Sequence, residues 1–315
     1  MLDAASFRLL NSWQRGFPLV PRPFAEIASA CGLDEDDVIT RFGQFKSRGL
    51  IDRIGPVFRP NSVGASTLAA MTVPPGRLEA VARQVSSHAG VNHNYERENR
   101  CNLWFVATAQ SDAALHGTLA CIEHETGLPV LRLPLLEEFH IDLGFDLEDH
   151  SVPREPQPGP VAPLSEPDRR FAARVAEGLP LEPRPFAGLA LPEDEVIATL
   201  RRWLETGLVR RIGAVVRHRR LGYEANAMVV WDVPDEKGGD DGRRLAADPA
   251  VTLCYRRARA LPDWPYNLYC MVHGRERAAV TQAIERLCTQ HGMGKYPRAV
   301  LFSTRCFSQR VARYG

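Results

Sequence analysis

Residues 17–24 read FPLVPRPF and residues 179–186 read LPLEPRPF, so six of these eight positions are identical. Further along the chain, LIDRIGPV at 50–57 returns as LVRRIGAV at 208–215, with five identities in eight. The order of the segments is kept, and the offset between them changes by only four residues. Such self-similarity indicates an internal duplication. The chain is therefore predicted to contain one unit of about 140 residues twice in tandem.

The composition fits a globular protein of two or more domains. Of the 315 residues, 44% are hydrophobic and 24% are charged, and the formal net charge is only +1. So small a net charge gives no overall field that would attract nucleic acid or an anionic membrane. Seven cysteines without any C-x-x-C pair argue against a disulfide framework and a zinc ribbon. Because neither a signal peptide nor a membrane-spanning stretch is recognisable, a cytoplasmic protein is expected.

Helical patterns open each copy. In the first copy, Gly32 separates two helical stretches, and the second of these places Val38, Phe42 and Phe45 on one apolar stripe. A β-rich segment with a Gly-Pro turn at 55–56 follows. Helix, turn, helix and a two-stranded wing together predict a winged helix-turn-helix in each copy.

The remainder of each copy alternates strands and helices in the order βαββαβ, which is typical of a ferredoxin-like sandwich. The predicted elements of the first copy are strands at 65–73, 90–97, 101–109 and 129–141 and helices at 76–88 and 112–126. The same order recurs in the second copy from Ala225 to Phe307. The fold class is therefore α+β, and the two sheets are expected to pair face to face as a pseudo-dimer within one chain.

Five segments make up the expected domain organisation. They are a winged helix-turn-helix at 1–62, a ferredoxin-like domain at 63–150, a linker at 151–167, a second winged helix-turn-helix at 168–221 and a second ferredoxin-like domain at 222–315. The linker contains six prolines, which cannot donate backbone hydrogen bonds. A semi-rigid, extended linker is therefore predicted.

This architecture resembles the Lrp/AsnC transcription regulators in both copies, which implies DNA binding through the second helix of each helix-turn-helix. The first turn of that helix is acidic in both copies, at 34–37 and at 193–195. Carboxylates at this position repel phosphates, whose neutralisation supplies much of the affinity for DNA. The same acids also stabilise the helix dipole. No DNA binding is expected.

The most informative stretches are two strand regions that align with each other. They read VNHNYERENRCNLWFVA at 91–107 and VTLCYRRARALPDWPYNLYCMVHG at 251–274. The aligned pairs are Tyr95 with Tyr255, Arg97 with Arg257 and Asn102 with Asn267. Strand alternation places His93 on the face of Tyr95 and Arg97, and it places Asn267 and His273 on one face of the following strand.

Polar side chains in the middle of a sheet are costly to bury unless a partner satisfies them. An arginine guanidinium suits a carboxylate, because two parallel hydrogen bonds can form. Aromatic rings beside arginines suit a flat ligand. The two strand regions therefore predict a site for a flat ligand with acidic edges.

These motifs resemble those of the siroheme decarboxylase family in its fused form. The resemblance rests on HNYERE with NLWFV in the first copy, on YRR with WPYNLYCMVHG in the second, and on LPLLEEFHIDLGFDL at 133–147. It covers nearly the whole chain. It implies removal of carbon dioxide from the acetates at ring positions 12 and 18 of siroheme, a step in heme d1 biosynthesis. In related systems the two halves are separate chains that form a heterodimer.

The resemblance also implies the partners of the chain. Siroheme and its decarboxylated product are the expected ligands, and other proteins of heme d1 biosynthesis are candidate partners. No cofactor of its own and no protein-bound metal are implied, since the iron arrives within siroheme. At Asn99 the sequence departs from the pattern, because related first halves often carry a histidine there. The alternative function is an Lrp/AsnC-type regulator that senses a tetrapyrrole in the same pocket.

Decarboxylation of a pyrrole acetate requires a proton donor at the reacting carbon and cations that hold the other carboxylates. His93 and His273 are the candidate donors, because the pKa of histidine lies near the working pH. The candidate carboxylate ligands are Arg97, Arg256, Arg257 and Arg259. Tyr95, Tyr255, Asn102 and Asn267 complete the predicted polar contacts, and Trp104 and Trp264 are predicted to pack against the ring. The alternative for each histidine and tyrosine is an ordinary core residue, and Cys254 and Cys270 are expected in the core.

Overall fold

A computed structural model of the chain describes residues 2–141, 144, 146–147 and 162–311. Residues 151–161 of the predicted linker lie outside the described residues, as does part of the predicted motif at 133–147. The last two linker residues, Glu166 and Pro167, form the first turn of a helix. This helix starts earlier than predicted because Ser165 accepts a hydrogen bond from the backbone of Asp168 and caps it.

The chain folds into two compact units, and each unit contains segments of both copies. The helical unit contains mainly residues 1–63 and 155–221, and the sheet unit contains mainly residues 64–143 and 222–315. Like parts of the two copies therefore fold together, as the pseudo-dimer prediction requires.

The described helices are α1 (Ala4–Ser12), α2 (Pro23–Cys31), α3 (Glu35–Ser47), α4 (Leu78–Ser87), α5 (Asp112–Thr126), α6 (Glu166–Ala176), α7 (Glu193–Glu205), α8 (Asp235–Ala246) and α9 (Arg277–Gln290). Single 3-10 turns lie at Pro75–Arg77, His218–Leu221 and Met293–Lys295. The described strands are β1 (Ile51–Phe58), β2 (Ala65–Met71), β3 (Val91–Arg97), β4 (Leu103–Ala109), β5 (Leu131–Leu133), β6 (Leu135–Ile141), β7 (Val209–Val216), β8 (Ala225–Trp231), β9 (Leu253–Arg257), β10 (Leu268–Gly274) and β11 (Arg298–Gln309).

In the helical unit, the first copy forms the two helices that its pattern predicts. Gly32 ends α2 in the left-handed conformation, with φ of 66°. The apolar stripe of Val38, Phe42 and Phe45 on α3 is buried. The rings of Phe24 and Phe42 lie 6.1 Å apart, so α2 and α3 share an aromatic core.

The second copy differs from the prediction, because it has no counterpart of α2. After the shared PRPF segment, residues 187–191 form turns and bends, and α7 follows directly. The second copy is four residues shorter than the first between PRPF and the DEVI segment, and Gly188 and Pro192 interrupt what remains. A helix and its turn do not fit into so short a segment. Only the first copy keeps both helices of the motif.

The wings also differ from the prediction. β1 runs straight through Gly55 and Pro56, and no turn forms there. It pairs antiparallel with β7 of the second copy, with Gly55 opposite Gly213 and Pro56 opposite Ile212. Pro56 is tolerated because a two-stranded ribbon has two free edges, where a missing N–H costs little. Each copy thus supplies one strand of a shared ribbon.

The repeated PRPF segment has a clear structural role. Its arginine in the first copy, Arg22, forms an ion pair with Glu35 at the start of α3. Its arginine in the second copy, Arg184, forms the same pair with Glu193 at the start of α7. The first residue of each of these helices, Glu35 and Glu193, is therefore held by an arginine of its own copy.

In the sheet unit, nine strands follow the order β5-β2-β4-β3-β11-β8-β10-β9-β6. The long strand β11 pairs with β8 through Arg298–Phe302 and with β3 of the first copy through Ser303–Gln309. In the first copy, Pro134 divides the predicted last strand into β5, which pairs with β2, and β6, which pairs with β9 of the second copy. The last strand of each copy thus completes the sheet of the other.

Three hydrophobic clusters separate the layers of the sheet unit. One cluster joins α4 and α5 to the strands of the first copy, and another joins α8 and α9 to those of the second. The third, called the inner cluster, contains residues of both copies and none from a helix, including Trp104, Leu133, Tyr255, Trp264 and Leu301. The two halves of the nine-stranded sheet, one from the strands on each side of β11, therefore face each other across the inner cluster, and the helices pack on their outer sides. Within the described ranges, no helix combines the length and apolar character that crossing a bilayer requires.

β6 is called the exchanged strand, because it leaves the first copy to pair with β9 of the second. Its packing against α8 can be tested by substitution of Gly242. A Cβ atom at this position would collide with the ring of Phe139, which β6 brings from the first copy. We expect Gly242→Ala to lower the free energy of unfolding by about 1–3 kcal/mol, as overpacking does. Gly239→Ala in the same helix meets only the flexible end of Arg243 and should raise it by up to about 1 kcal/mol. Urea unfolding of the two variants measures both changes, and equal stability of the two would contradict this packing.

We also predict that the chain forms no sequence-specific complex with DNA. The first turns of α3 and α7 carry three acids each, and the second copy has no counterpart of α2 in front of α7. Carboxylates at this position oppose phosphate binding. A mobility-shift assay with genomic fragments at near-physiological salt checks this, and a specific, salt-sensitive shift would refute it.

Candidate functional site

The arginine of each Tyr-x-Arg motif donates a hydrogen bond to the backbone of the other copy. Arg97 on β3 donates from Nη1 to the carbonyl oxygen of Leu301 at 3.2 Å. Arg257 on β9 donates from Nη1 to the carbonyl oxygen of Leu133 at 2.7 Å. These matched contacts tie the motif of one copy to the last strand of the other.

Both arginines also lie over the tyrosine of their own motif. The guanidinium carbon of Arg257 is 4.6 Å from the ring centre of Tyr255, and that of Arg97 is 5.9 Å from Tyr95. Nη2 of Arg97 lies 4.0 Å from the sulfur of Met271, which belongs to the inner cluster. The tyrosine and arginine of each motif therefore lie on the face of the sheet that carries the inner cluster, as strand alternation predicts.

Arg257 keeps an unused donor. Its Nε atom is buried and has no hydrogen-bond partner within the part of the chain that the structure describes. A buried N–H group without an acceptor is unfavourable by about 1–3 kcal/mol. A carboxylate at this position would satisfy it.

An aromatic group continues from Tyr255 across the inner cluster. The ring of Tyr255 stacks on Tyr269 at 5.6 Å, and the Tyr269 hydroxyl oxygen accepts a hydrogen bond from Nε1 of Trp264 at 2.7 Å. Trp264 packs edge-on against Trp104 of the first copy, with ring centres 4.9 Å apart. Burial raises the pKa of Tyr269 far above its usual value, so its hydroxyl stays protonated.

A cleft of about 360 Å³ opens beside this aromatic group, between residues of the two copies. Its volume falls in the range of small-molecule sites. The first copy contributes Thr72, Asn99, Arg100, Cys101, Pro129 and Leu131, and the second contributes Asp263, Trp264, Pro265 and Tyr266. Trp264 belongs to both the cleft and the inner cluster, which also contains Tyr255. The cleft also contains Asn99, where the resemblance leads us to expect a histidine.

Burial keeps the thiols of Cys101 and Cys270 protonated at neutral pH. Burial raises the pKa of Cys101, which lines the cleft, to about 12. Cys254 and Cys270 are fully buried in the cluster on the helix side of the second sheet, and burial raises the pKa of Cys270 strongly. Their position agrees with the expectation that Cys254 and Cys270 are core residues.

The side chains of Asn102 and Asn267 each form a pair of hydrogen bonds with the backbone. The side-chain amide of Asn102 accepts from the N–H of Val73 and donates to its carbonyl oxygen, each at 2.9 Å. Asn267 makes the same two contacts with Val233, at 3.0 and 2.9 Å. Because these contacts use both ends of each amide, they support a structural role rather than the predicted contact with a ligand.

Arg256 and Arg259 are also engaged within the protein. Arg256 packs on Gly238 of α8, on the helix side of its sheet, and lies 3.4 Å from Glu137. Arg259 donates to the carboxylates of Asp232 and Asp235 at 2.8 and 2.6 Å, and this contact lowers the pKa of Asp235. These contacts give no support to the prediction that the two arginines hold ligand carboxylates.

The two candidate histidines lie on the predicted strands, but neither lines the cleft. Nδ1 of His93 is 2.9 Å from the Asn92 side-chain oxygen, and the His93 ring stacks with Tyr95 at 6.4 Å. Nδ1 of His273 is 2.8 Å from the Thr252 hydroxyl oxygen. Since that hydroxyl donates to the carbonyl of Met271, its oxygen accepts from His273. In both contacts the partner of Nδ1 is an oxygen atom, so Nδ1 is placed to donate.

Sequence reasoning missed several residues around the cleft. Arg100 and Asp263 face each other across the two copies at 3.6 Å, and Tyr266 packs on Trp264 at 5.0 Å. Tyr269 shares a face with Met271, but its bond to Trp264 depends on the fold of the loop between β9 and β10. The WPYN motif could have indicated Tyr266, because Tyr266 lies in this motif directly before Asn267.

Comparison with known proteins identifies the family. Residues 63–140 and 220–308 match the AsnC-like ligand binding domain, and residues 7–51 match the siroheme decarboxylase NirDL-like HTH domain. The siroheme decarboxylase NirDL subunit of Paracoccus denitrificans is 43% identical over 320 aligned residues, which cover 99% of this chain and 97% of that protein. The chain belongs to the siroheme decarboxylase family.

A solved structure of the siroheme decarboxylase family and a shorter member of the same family are also similar to this chain. The crystal structure of the siroheme decarboxylase NirDL in co-complex with an iron-uroporphyrin III analogue superposes with a TM-score of 0.68 at 27% identity, covering 98% of this chain and 93% of that one. The siroheme decarboxylase NirL subunit of Stutzerimonas stutzeri is 51% identical over 142 residues, which cover 44% of this chain and 84% of that protein. The family resemblance inferred from the motifs is confirmed.

Proposed function

We propose that the chain removes carbon dioxide from the acetate groups at ring positions 12 and 18 of siroheme, leaving methyl groups, as a step in heme d1 biosynthesis. The observation that supports this most strongly is the similarity to siroheme decarboxylases over nearly the full length of the chain. The product, 12,18-didecarboxysiroheme, keeps the iron and has two carboxylates fewer. We place the reaction in the cytoplasm, with other proteins of heme d1 biosynthesis as candidate partners.

Binding in this proposal depends on Arg257. Its Nη1 atom is held by the Leu133 carbonyl and its guanidinium lies over Tyr255, so the side chain has little freedom. The unused Nε donor then meets a carboxylate of the tetrapyrrole in a charge-assisted hydrogen bond. Arg97 takes the equivalent place in the first copy. Trp264, at the wall of the cleft, offers an apolar surface to one edge of the macrocycle.

The chemical step requires a place for an electron pair and a proton. When the bond between the carboxylate carbon and the methylene breaks, the conjugated ring accepts the electron pair and carbon dioxide leaves. The methylene carbon then takes a proton from a general acid. His273 is our candidate, because Thr252 fixes its Nδ1 as a donor and directs the proton exchange to Nε2. His93 is the second candidate, with Nδ1 fixed by Asn92.

Arg257→Ala should weaken siroheme binding about 10- to 100-fold, because a charge-assisted hydrogen bond contributes about 1.5–3 kcal/mol. Arg257→Lys should not restore binding, since an ammonium group lacks the planar donors of the guanidinium. Arg256→Ala is the matched control: this neighbouring arginine faces α8, so siroheme binding should change little. An anaerobic absorbance titration with siroheme measures the three affinities, and urea midpoints establish that each variant is folded. Unchanged affinity in Arg257→Ala would refute this role.

His273→Ala should leave siroheme binding largely intact and slow single-turnover decarboxylation by about 10²- to 10⁴-fold, the usual contribution of a general acid. Mass analysis of the tetrapyrrole follows the loss of carbon dioxide. His116→Ala, which changes an exposed histidine of α5, is the control. If His273 is only a core residue, the variant will lose stability but keep its rate per bound siroheme. That outcome would transfer the role to His93.

A further inference from the structure

A second group of chemically reactive side chains lies in the helix layer of the first copy. Cys121 and Glu125 are one turn apart on α5, and His88 follows the last residue of α4. Leu119 and Ile122 turn the other side of α5 toward the sheet, so Cys121 and Glu125 are exposed. The group belongs neither to the inner cluster nor to the cleft.

The three side chains converge on one point. Nε2 of His88 is 3.0 Å from Oε2 of Glu125, and Sγ of Cys121 is 3.0 Å from Oε1 of the same carboxylate. Nε2 of Gln84 also donates to Oε2, at 3.4 Å. One nitrogen, one sulfur and one oxygen lie within 4.8 Å of one another. Ligands of a tetrahedral ion with bonds of about 2.0–2.3 Å are about 3–4 Å apart, so small side-chain movements would close the site.

We propose that His88, Cys121 and Glu125 form a binding site for a divalent cation of the zinc class. An imidazole and a thiolate favour zinc over magnesium or calcium, which prefer oxygen ligands. A thiolate and a carboxylate together carry two negative charges, which a divalent cation neutralises. Three protein ligands leave the fourth position of a tetrahedral ion to water.

Proton movement accompanies binding at this site. The Cys121 thiol proton, which is directed at Glu125 in the empty site, is released to solvent. Nε2 of His88 binds the ion, so this nitrogen carries no proton in the occupied site. The bound ion would tie the end of α4 to the last turns of α5. This role is structural and independent of the proposed decarboxylation.

Cobalt(II) is a suitable probe, because cobalt bound to a thiolate absorbs in the near ultraviolet and shows strong visible bands when tetrahedral. The full-length, reduced and metal-free protein is titrated with cobalt chloride, and zinc is then added to displace the cobalt. Cys121→Ser and His88→Gln remove ligands. Cys306→Ser and His124→Gln are the matched controls, since both residues are exposed and lie outside the group.

We expect the wild type and both controls to bind one cobalt ion with the thiolate absorption. Cys121→Ser should lose this absorption, and His88→Gln should bind at least about tenfold more weakly, a loss that even supporting groups of metal sites produce. Zinc should raise the melting temperature of the wild type but not of Cys121→Ser. If Cys121→Ser does not fold, Glu125→Gln is used in its place. Thiolate absorption that survives Cys121→Ser, or no absorption in the wild type, would overturn the proposal.

Discussion

The exchange of the last strands is the constraint on which the sheet unit depends. β11 pairs with β8 of its own copy and then with β3 of the other, and β6 leaves the first copy to pair with β9. Without this exchange, β3 and β9 would each expose an unpaired edge of backbone N–H and C=O groups. The inner cluster, which contains residues of both copies, would also be left incomplete. Neither copy can therefore complete its sheet alone.

The proposed site also combines residues of both copies. Arg97 and Arg257 are each held by a backbone carbonyl of the other copy, at Leu301 and Leu133. Trp264, which lines the cleft, packs against Trp104 of the first copy. A site that is assembled in this way needs one half of each kind, but it does not need a continuous chain. The existence of a separate, similar NirL subunit fits this view.

Much of this fold could be predicted from the sequence, because alternation and helical periodicity are local signals. The prediction of α5 matched its observed bounds, and the inward faces of Tyr95 and Tyr255 followed from alternation. The absence of a counterpart of α2 in the second copy could have been predicted from the sequence, because this segment is four residues shorter than in the first copy. The pairing of β1 with β7 was not, since the pattern of a strand does not name its partner. Similarly, a polar residue such as Asn267 does not reveal from sequence whether a ligand or the backbone satisfies it.

The central claim, that the two copies form one cooperative sheet unit, can be tested most directly by cutting the chain between them. A protease site inserted within residues 151–161 allows the two halves to be separated covalently after folding. Native mass spectrometry and urea unfolding of the cut protein then report on the assembly. We expect both fragments to stay in one complex and to unfold in a single transition. Two fragments that separate in buffer, each retaining the circular dichroism of its folded half, would contradict the account.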